Sequence, residues 1–257
     1  VIGVFDSGLG GLSVVREVLR QEPAVSLLYL GDREWAPYGE RTLHEVRGRA
    51  ELITTHLLAA GADTIVVACN TASAAALHHL RRRHPDVTFV GMEPAVKPAV
   101  SLTRTGVIGV LATPATFQGE LYASVVDRFG AGVEVVDAPC PGWMELVERP
   151  TPGDVVRKSI DGALRPLLAR GADVLVLGCT HYPFLRDEIA AAAGPGVTIV
   201  DPGEAVARQV IRTMIPSEDE EIRVQVTGPV DGVAERIETL TGLAIAVENV
   251  TFGHSDG

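Results

Sequence analysis

Lysine is nearly missing from this 257-residue chain: Lys97 and Lys158 are the only two among 22 basic residues. An enzyme built on pyridoxal phosphate needs a lysine to hold the cofactor as a Schiff base. Lys97 is flanked by prolines in Glu93-Pro-Ala-Val-Lys-Pro98 and Lys158 lies in a charged helical stretch, so neither suits that task and no cofactor is expected. Basic residues are outnumbered by 33 acids, for a net charge of −11. No cationic excess exists to neutralise phosphates, which argues against direct nucleic-acid binding. No apolar run reaches the roughly 20 residues of a membrane-spanning helix, and none resembles a signal peptide. Cysteine is scarce as well: Cys69, Cys140 and Cys179 are too few for a disulfide framework, so the expected home is a reducing cytosol.

What is present is an apolar share of 46%, enough for a substantial core. Short, β-branched runs at 1–5, 25–30, 64–68 and 87–92 read as buried strands. Amphipathic stretches at 12–20, 42–60 and 73–83 read as the helices between them. Strands resume at 107–111, 133–137, 174–177 and 197–200. Unbroken apolar strands alternating with helices imply an α/β fold with parallel sheets covered on both faces. The strand-like tail segments 222–226 and 243–250 are placed as a return to one of the sheets. The acidic run 217–222 and the histidine-arginine helix end (His78, His79, His84 with Arg81 to Arg83) read as solvated surface.

An internal echo divides the chain. Gly61-Ala-Asp-Thr-Ile-Val-Val-Ala-Cys69-Asn70-Thr71 returns as Gly171-Ala-Asp-Val-Leu-Val-Leu-Gly-Cys179-Thr180-His181. Val1-Ile-Gly-Val returns as Val107-Ile-Gly-Val. The second echo follows from strand chemistry alone; the first is more telling, because a rare residue holds the same place twice.

Cys69 and Cys179 each stand where a strand stops and a helix-forming stretch begins, the place where open α/β folds bind ligands. A helix N-terminus there favours the thiolate, against an unperturbed thiol pKa of about 8.5. Two facing halves would put one thiol on each side of a cleft. That arrangement suits racemisation, in which one thiolate removes a Cα proton and the opposite thiol delivers one to the other face. Three other readings compete: two packed core cysteines, zinc ligation by Cys69, Cys179 and His181 without the usual Cys-x-x-Cys spacing, and an amino-acid-binding protein without chemistry. Cys140 has no counterpart and reads as a packed thiol.

The loops supply the rest of a candidate site. Asp6-Ser7-Gly-Leu-Gly-Gly after the first strand invites a dinucleotide reading, with Asp32 as the ribose acid. Ser13 in place of the third glycine and the carboxylate of Asp6 speak against it. The preferred reading places Asp6 and Ser7 at the cleft, with the glycines allowing close backbone approach. Pro37-Tyr38-Gly39 is a turn that can present N–H groups. Asn70, Thr71, Thr180 and His181 follow the thiols as anion contacts or helix caps. Thr113 and Thr116 occupy the second half's counterpart of the Asp6-Ser7 loop. His181 is placed to hydrogen-bond Cys179 or carry its proton.

These motifs resemble the glutamate racemases of the cofactor-independent aspartate/glutamate racemase superfamily. The resemblance rests on Phe5-Asp-Ser-Gly-Leu-Gly-Gly-Leu-Ser13, Pro37-Tyr-Gly39, Ala68-Cys-Asn-Thr-Ala72, Cys140-Pro with Leu146-Val-Glu148, and Leu177-Gly-Cys-Thr-His-Tyr-Pro183. It implies two pseudo-symmetric parallel-sheet α/β domains, 1–94 plus 205–257 and 95–204, with the active site in the cleft between them. It makes Cys69 and Cys179 the acid-base pair, with Asp6, Glu148 and His181 assisting proton transfer. It places Asp6, Ser7, Pro37, Tyr38, Gly39, Asn70, Thr71, Thr113, Thr116, Thr180 and His181 around glutamate, with no metal. It further implies a cytoplasmic homodimer that makes D-glutamate for peptidoglycan, and an interaction with DNA gyrase reported for some members. An aspartate racemase is the nearest alternative. Two departures stand out: a second acid, Glu145, precedes Glu148, and the bulky Trp35 precedes Pro37 in Asp32-Arg-Glu-Trp35-Ala.

Overall fold

The computed structural model describes residues 1–216 and 220–252. The chain opens with β1 (Ile2–Asp6), α1 (Leu12–Gln21), β2 (Leu27–Gly31), α2 (Leu43–Ala59), β3 (Thr64–Val67), α3 (Asn70–Arg83), β4 (Thr88–Gly91) and α4 (Val96–Leu102). It continues with β5 (Val107–Ala112), α5 (Pro114–Phe117), α6 (Glu120–Phe129), β6 (Glu134–Pro139), α7 (Trp143–Glu148), α8 (Gly153–Ala169), β7 (Val174–Leu177), α9 (Arg186–Ala193) and β8 (Thr198–Val200). It closes with α10 (Gly203–Thr213), β9 (Ile222–Thr227), α11 (Val233–Thr241) and β10 (Val247–Val250). Short 3-10 turns stand at Arg33–Trp35, Tyr38–Glu40 and Tyr182–Leu185.

The strands form two all-parallel sheets, a six-stranded one in the order β10-β9-β2-β1-β3-β4 and a four-stranded one in the order β6-β5-β7-β8. The order β2-β1-β3-β4 in the first repeats as β6-β5-β7-β8 in the second, so the sequence echo is an echo of topology. The tail joins the first sheet, with β9 pairing to β2 and β10 to β9. Gly242, in the left-handed conformation, ends α11, and the last strand therefore begins at Val247 rather than at 243.

Both faces of each sheet are covered because successive side chains point opposite ways. Val4, Leu27, Tyr29 and Val66 pack into one cluster, while Phe5, Leu28, Leu30, Ile65 and Val67 pack into another. Each such side chain contributes about 1.5–3 kcal/mol by burial. The repeated Gly-Ala-Asp also has a common job. Gly61 and Gly171 take φ of +92° and +85° to turn α2 into β3 and α8 into β7, a conformation costly for other residues. The aspartate N–H that follows pairs with the neighbouring central strand's start, Asp63 to Val1 O (3.1 Å) and Asp173 to Val107 O (3.3 Å).

Three expectations change. Helix α3 begins at Asn70, directly after Cys69, because the cysteine itself caps it. No α-helix follows Cys179 directly: Pro183 lies in a 3-10 turn, and α9 starts only at Arg186. The histidine-arginine helix end is not merely solvated. Nε2 of His79 and of His84 lie 3.2 and 3.0 Å from the Glu51 carboxylate, tying α3 to α2. Part of the acidic run, residues 217–219, lies outside the described residues.

Candidate active site

One pocket opens between the C-terminal strand ends of the two sheets. Its volume of about 70 Å³ would hold on the order of five waters. Cys69 and Cys179 both line it, one from each sheet. Ser7, Pro37, Tyr38, Gly39, Asn70, Thr71, Thr113, Thr116, Thr180 and His181 line it with them. Glu40, Met144, Glu145 and the Cys140-Pro-Gly turn complete the wall. Neither lysine nor any arginine reaches it, so an anion inside must be held by N–H and hydroxyl groups.

Cys69 caps α3: its Sγ accepts from Ala72 N–H at 3.4 Å and lies 3.9 Å from Ser7 Oγ. The helix end does not produce a thiolate here. Burial pushes the Cys69 thiol well above its ordinary pKa, and the nearby charge of Asp6 pushes the same way, outweighing the capping N–H. Asp6 itself is fully buried and absent from the pocket wall. It accepts from Gly11 N–H at 2.7 Å and lies 3.4 Å from Thr180 Oγ1. Burial raises its pKa despite the opposing His181 charge and two N–H contacts.

The second thiol has a different neighbour. Cys179 Sγ lies 3.7 Å from His181 Nδ1, and His181 Nε2 lies 2.9 Å from Glu148 Oε1. Burial alone would lower the His181 pKa, but its contacts with Cys179 and Glu148 outweigh that and raise it well above the usual histidine value. Burial alone would raise Glu148. The hydrogen bond from His181, the imidazolium charge, the Leu9 N–H and Arg33 together hold it below the usual carboxylate range instead. The two halves of the site are thus unlike: a protonated thiol beside Asp6, and a thiol beside an imidazolium. Glu148 stands behind His181 and off the wall, whereas Glu145 is on it.

The glycine loop explains itself in this setting. A Cβ on Gly8 would collide with Glu148 Oε1, and one on Gly10 with the His181 ring. Leu9 N–H donates to Glu148 Oε1 at 2.5 Å. The close approach that the glycines permit is that of side chains from the other half, which corrects the dinucleotide alternative: the loop is occupied. Asp32, its supposed ribose acid, is occupied too. It accepts from Arg49 at 2.6 and 2.7 Å, Tyr38 OH at 2.6 Å and Thr227 Oγ1 at 2.8 Å. This buried network pins the Pro37-Tyr38-Gly39 turn to the pocket edge. Trp35 lies outside the pocket with the Arg41 guanidinium stacked 4.1 Å over its ring.

Three hydroxyls join across the cleft: Thr71 Oγ1 is 2.9 Å from Thr113 and 3.3 Å from Thr116, which are 3.0 Å apart. Asn70 is 3% exposed, and neither atom of its amide has a hydrogen-bond partner. Unpaired buried amides cost free energy, so both atoms have hydrogen-bonding capacity left to offer a group in the pocket. Cys140 is packed, donating to Ala138 O at 3.2 Å, with burial raising its pKa to about 12. Among the described residues no three His, Cys, Asp or Glu side chains converge to hold a metal. Sequence reasoning missed Glu40, which directly follows the Pro37-Tyr38-Gly39 turn, Met144, which lies in α7 between Cys140 and Glu148, and Arg33, which meets Glu148 from the turn after β2.

A family model described as Asp/Glu/hydantoin racemase matches residues 2–210. The chain belongs to that family. It is 50% identical over 214 residues to a glutamate racemase of Ectopseudomonas mendocina, covering 83% of this chain and 81% of the relative. The solved glutamate racemase isoform RacE1 from Bacillus anthracis superposes with a TM-score of 0.87 at 33% identity, covering 98% of this chain and 97% of that one. Glutamate racemase of Escherichia coli, in complex with L-glutamate and the activator UDP-MurNAc-ala, gives 0.84 at 30% identity, covering 97% of each chain. As a member of this racemase family the chain is an isomerase, and its two parallel-sheet halves are the architecture of those neighbours.

Proposed function

We propose that this racemase interconverts L- and D-glutamate by proton transfer between two thiols, without a cofactor. One observation carries the reading: Cys69 and Cys179, from matching positions in two halves of the same strand order, line one pocket. The relatives' names point to glutamate as substrate.

In one direction Cys179, beside the His181 imidazolium, acts as thiolate and takes the Cα proton. Cys69, kept protonated by burial, gives its proton to the opposite face. The balance is closed: thiolate, C–H and thiol become thiol, C–H of inverted configuration and thiolate. The other enantiomer runs the same path backwards. The free Asn70 amide, the Thr71-Thr113-Thr116 hydroxyls and the N–H groups at the start of α3 bind the substrate's carboxylates. Asp6 and Glu148 act from behind the thiols, through Cys69 and His181. The same reading takes the halves as domains 1–94 plus 205–257 and 95–204. It places a homodimeric enzyme in the cytoplasm, supplying D-glutamate to peptidoglycan.

The test uses Cys69→Ala and Cys179→Ala. Each loses racemisation in both directions, yet each still eliminates chloride from one enantiomer of β-chloroalanine, the one whose Cα–H faces the surviving thiol. Near-normal racemisation by either variant would end the two-thiol reading.

A further inference from the structure

The contacts of Glu148 lead out of the pocket to a residue that the motifs do not mark. Arg33 sits in the 3-10 turn after β2, on the first-sheet side. Its Nη1 donates to Pro229 O at 2.7 Å, which fixes the guanidinium against the turn after β9. Its Nε is buried without a hydrogen-bond partner and lies 3.7 Å from Glu148 Oε2, on the second-sheet side. A buried guanidinium N–H without a partner is costly, and the carboxylate facing it offsets part of that cost. Arg236, in α11, reaches across the same seam and donates from Nε to Val147 O at 2.7 Å, clamping the end of α7 where Glu148 sits.

We infer that Arg33 is a positioning residue for proton transfer at Cys179, acting through Glu148 and His181. The chain of contacts is continuous. The Arg33 guanidinium faces Oε2 at 3.7 Å, Leu9 N–H and His181 share Oε1, and His181 Nδ1 faces Cys179 Sγ at 3.7 Å. The guanidinium charge beside Oε2 favours the carboxylate orientation in which Oε1 meets His181 Nε2, and so the ring position that faces the sulfur. Arg33 comes from one half and Glu148 from the other, so the contact crosses the seam between them. Besides the Leu9 N–H, the charged and titratable groups around Glu148 are His181, Arg33 and Arg236, with Asp6, Tyr29 and Cys179 beyond them. The cationic neighbours keep Glu148 ionised, and losing one moves its protonation to higher pH.

This inference rests on the racemase reading, and the test separates the two. Arg33→Gln and Arg33→Lys are assayed with both glutamate enantiomers across pH, beside thermal melts. The racemisation equilibrium constant is one, so kcat/KM must fall equally in both directions; the expected fall for Arg33→Gln is about tenfold. The acid limb of its profile moves up by about half a unit or more. Arg33→Lys restores most of both. If wild type turns over neither enantiomer, the parent reading has failed. If wild type is active and Arg33→Gln matches it, or loses activity with an unmoved acid limb and no rescue by lysine, Arg33 does not position Glu148.

Discussion

Gly10→Ala is the smallest change that reaches the reacting groups. Gly10 does not have a positive φ, so alanine meets no backbone strain there. The obstacle is spatial. An added methyl would lie 2.5 Å from His181 Cε1 and 2.7 Å from Cγ, against an ordinary contact of roughly 3.5–4 Å. The ring must retreat by about 1 Å. Its Nε2 then leaves the 2.9 Å contact with Glu148, and its Nδ1 leaves Cys179. A displacement of that size in a positioned group costs about 100-fold in rate. The overpacking costs about 1–3 kcal/mol of stability, a fall of roughly 2–12 °C in Tm for a chain of this size. Circular dichroism follows racemisation directly, and a thermal melt reads the stability. Gly48→Ala is the control: it sits on the exposed face of α2 with nothing within 4 Å of an added Cβ. It should gain about 1 kcal/mol and leave turnover unchanged. A Gly10→Ala enzyme with turnover within twofold of wild type would show that the loop does not fit around His181.

Three further outcomes follow from individual contacts. Arg49→Met leaves the buried Asp32 carboxylate without its two guanidinium bonds and should cost about 3–5 kcal/mol in urea denaturation; a loss below about 1 kcal/mol would contradict the pinning network. Asp173 is held down to a pKa of about 2, burial being outweighed by the hydroxyls of Thr103 and Thr105 and the N–H groups of Arg104 and Thr105. Its stabilisation is complete above the unfolded pKa near 3.9 and is lost as pH falls toward about 2. Wild type should therefore lose its advantage over Asp173→Asn between about pH 5 and 2, and a constant difference in urea midpoint would refute this. Asn70→Ala removes an amide with no partner, so the melt should shift little while KM rises at least about tenfold; a lower Tm with unchanged KM would make Asn70 structural.

Much of this was legible in the sequence because repetition carries information that single motifs do not. The Gly-Ala-Asp echo located two equivalent turns, two equivalent strands and two thiols at their ends. The β-branched runs placed the parallel strands other than β10 to within a residue or two, since buried strands need apolar side chains on both faces. The asymmetry between the thiols was hidden. Identical positions gave Cys69 a helix to cap and Cys179 a proline-bearing turn, because Pro183 stands where a helix would otherwise form. Charge states were hidden as well. The dipole argument favours thiolate at Cys69, but complete burial beside Asp6 outweighs it, and burial depends on packing from the other half. Arg33, Leu9 and Glu148 are 24 to 139 residues apart along the chain, so no local pattern announces that they meet.

The two-thiol transfer is tested most directly by running the reaction in heavy water and following deuterium at Cα in both enantiomers during the first few per cent of conversion. The newly formed enantiomer should carry deuterium while the remaining starting enantiomer still carries protium, because the removed hydrogen leaves on one sulfur and the new one arrives from the other. Deuterium appearing equally fast in both enantiomers, or product that keeps the original hydrogen, would mean a single group serves both faces.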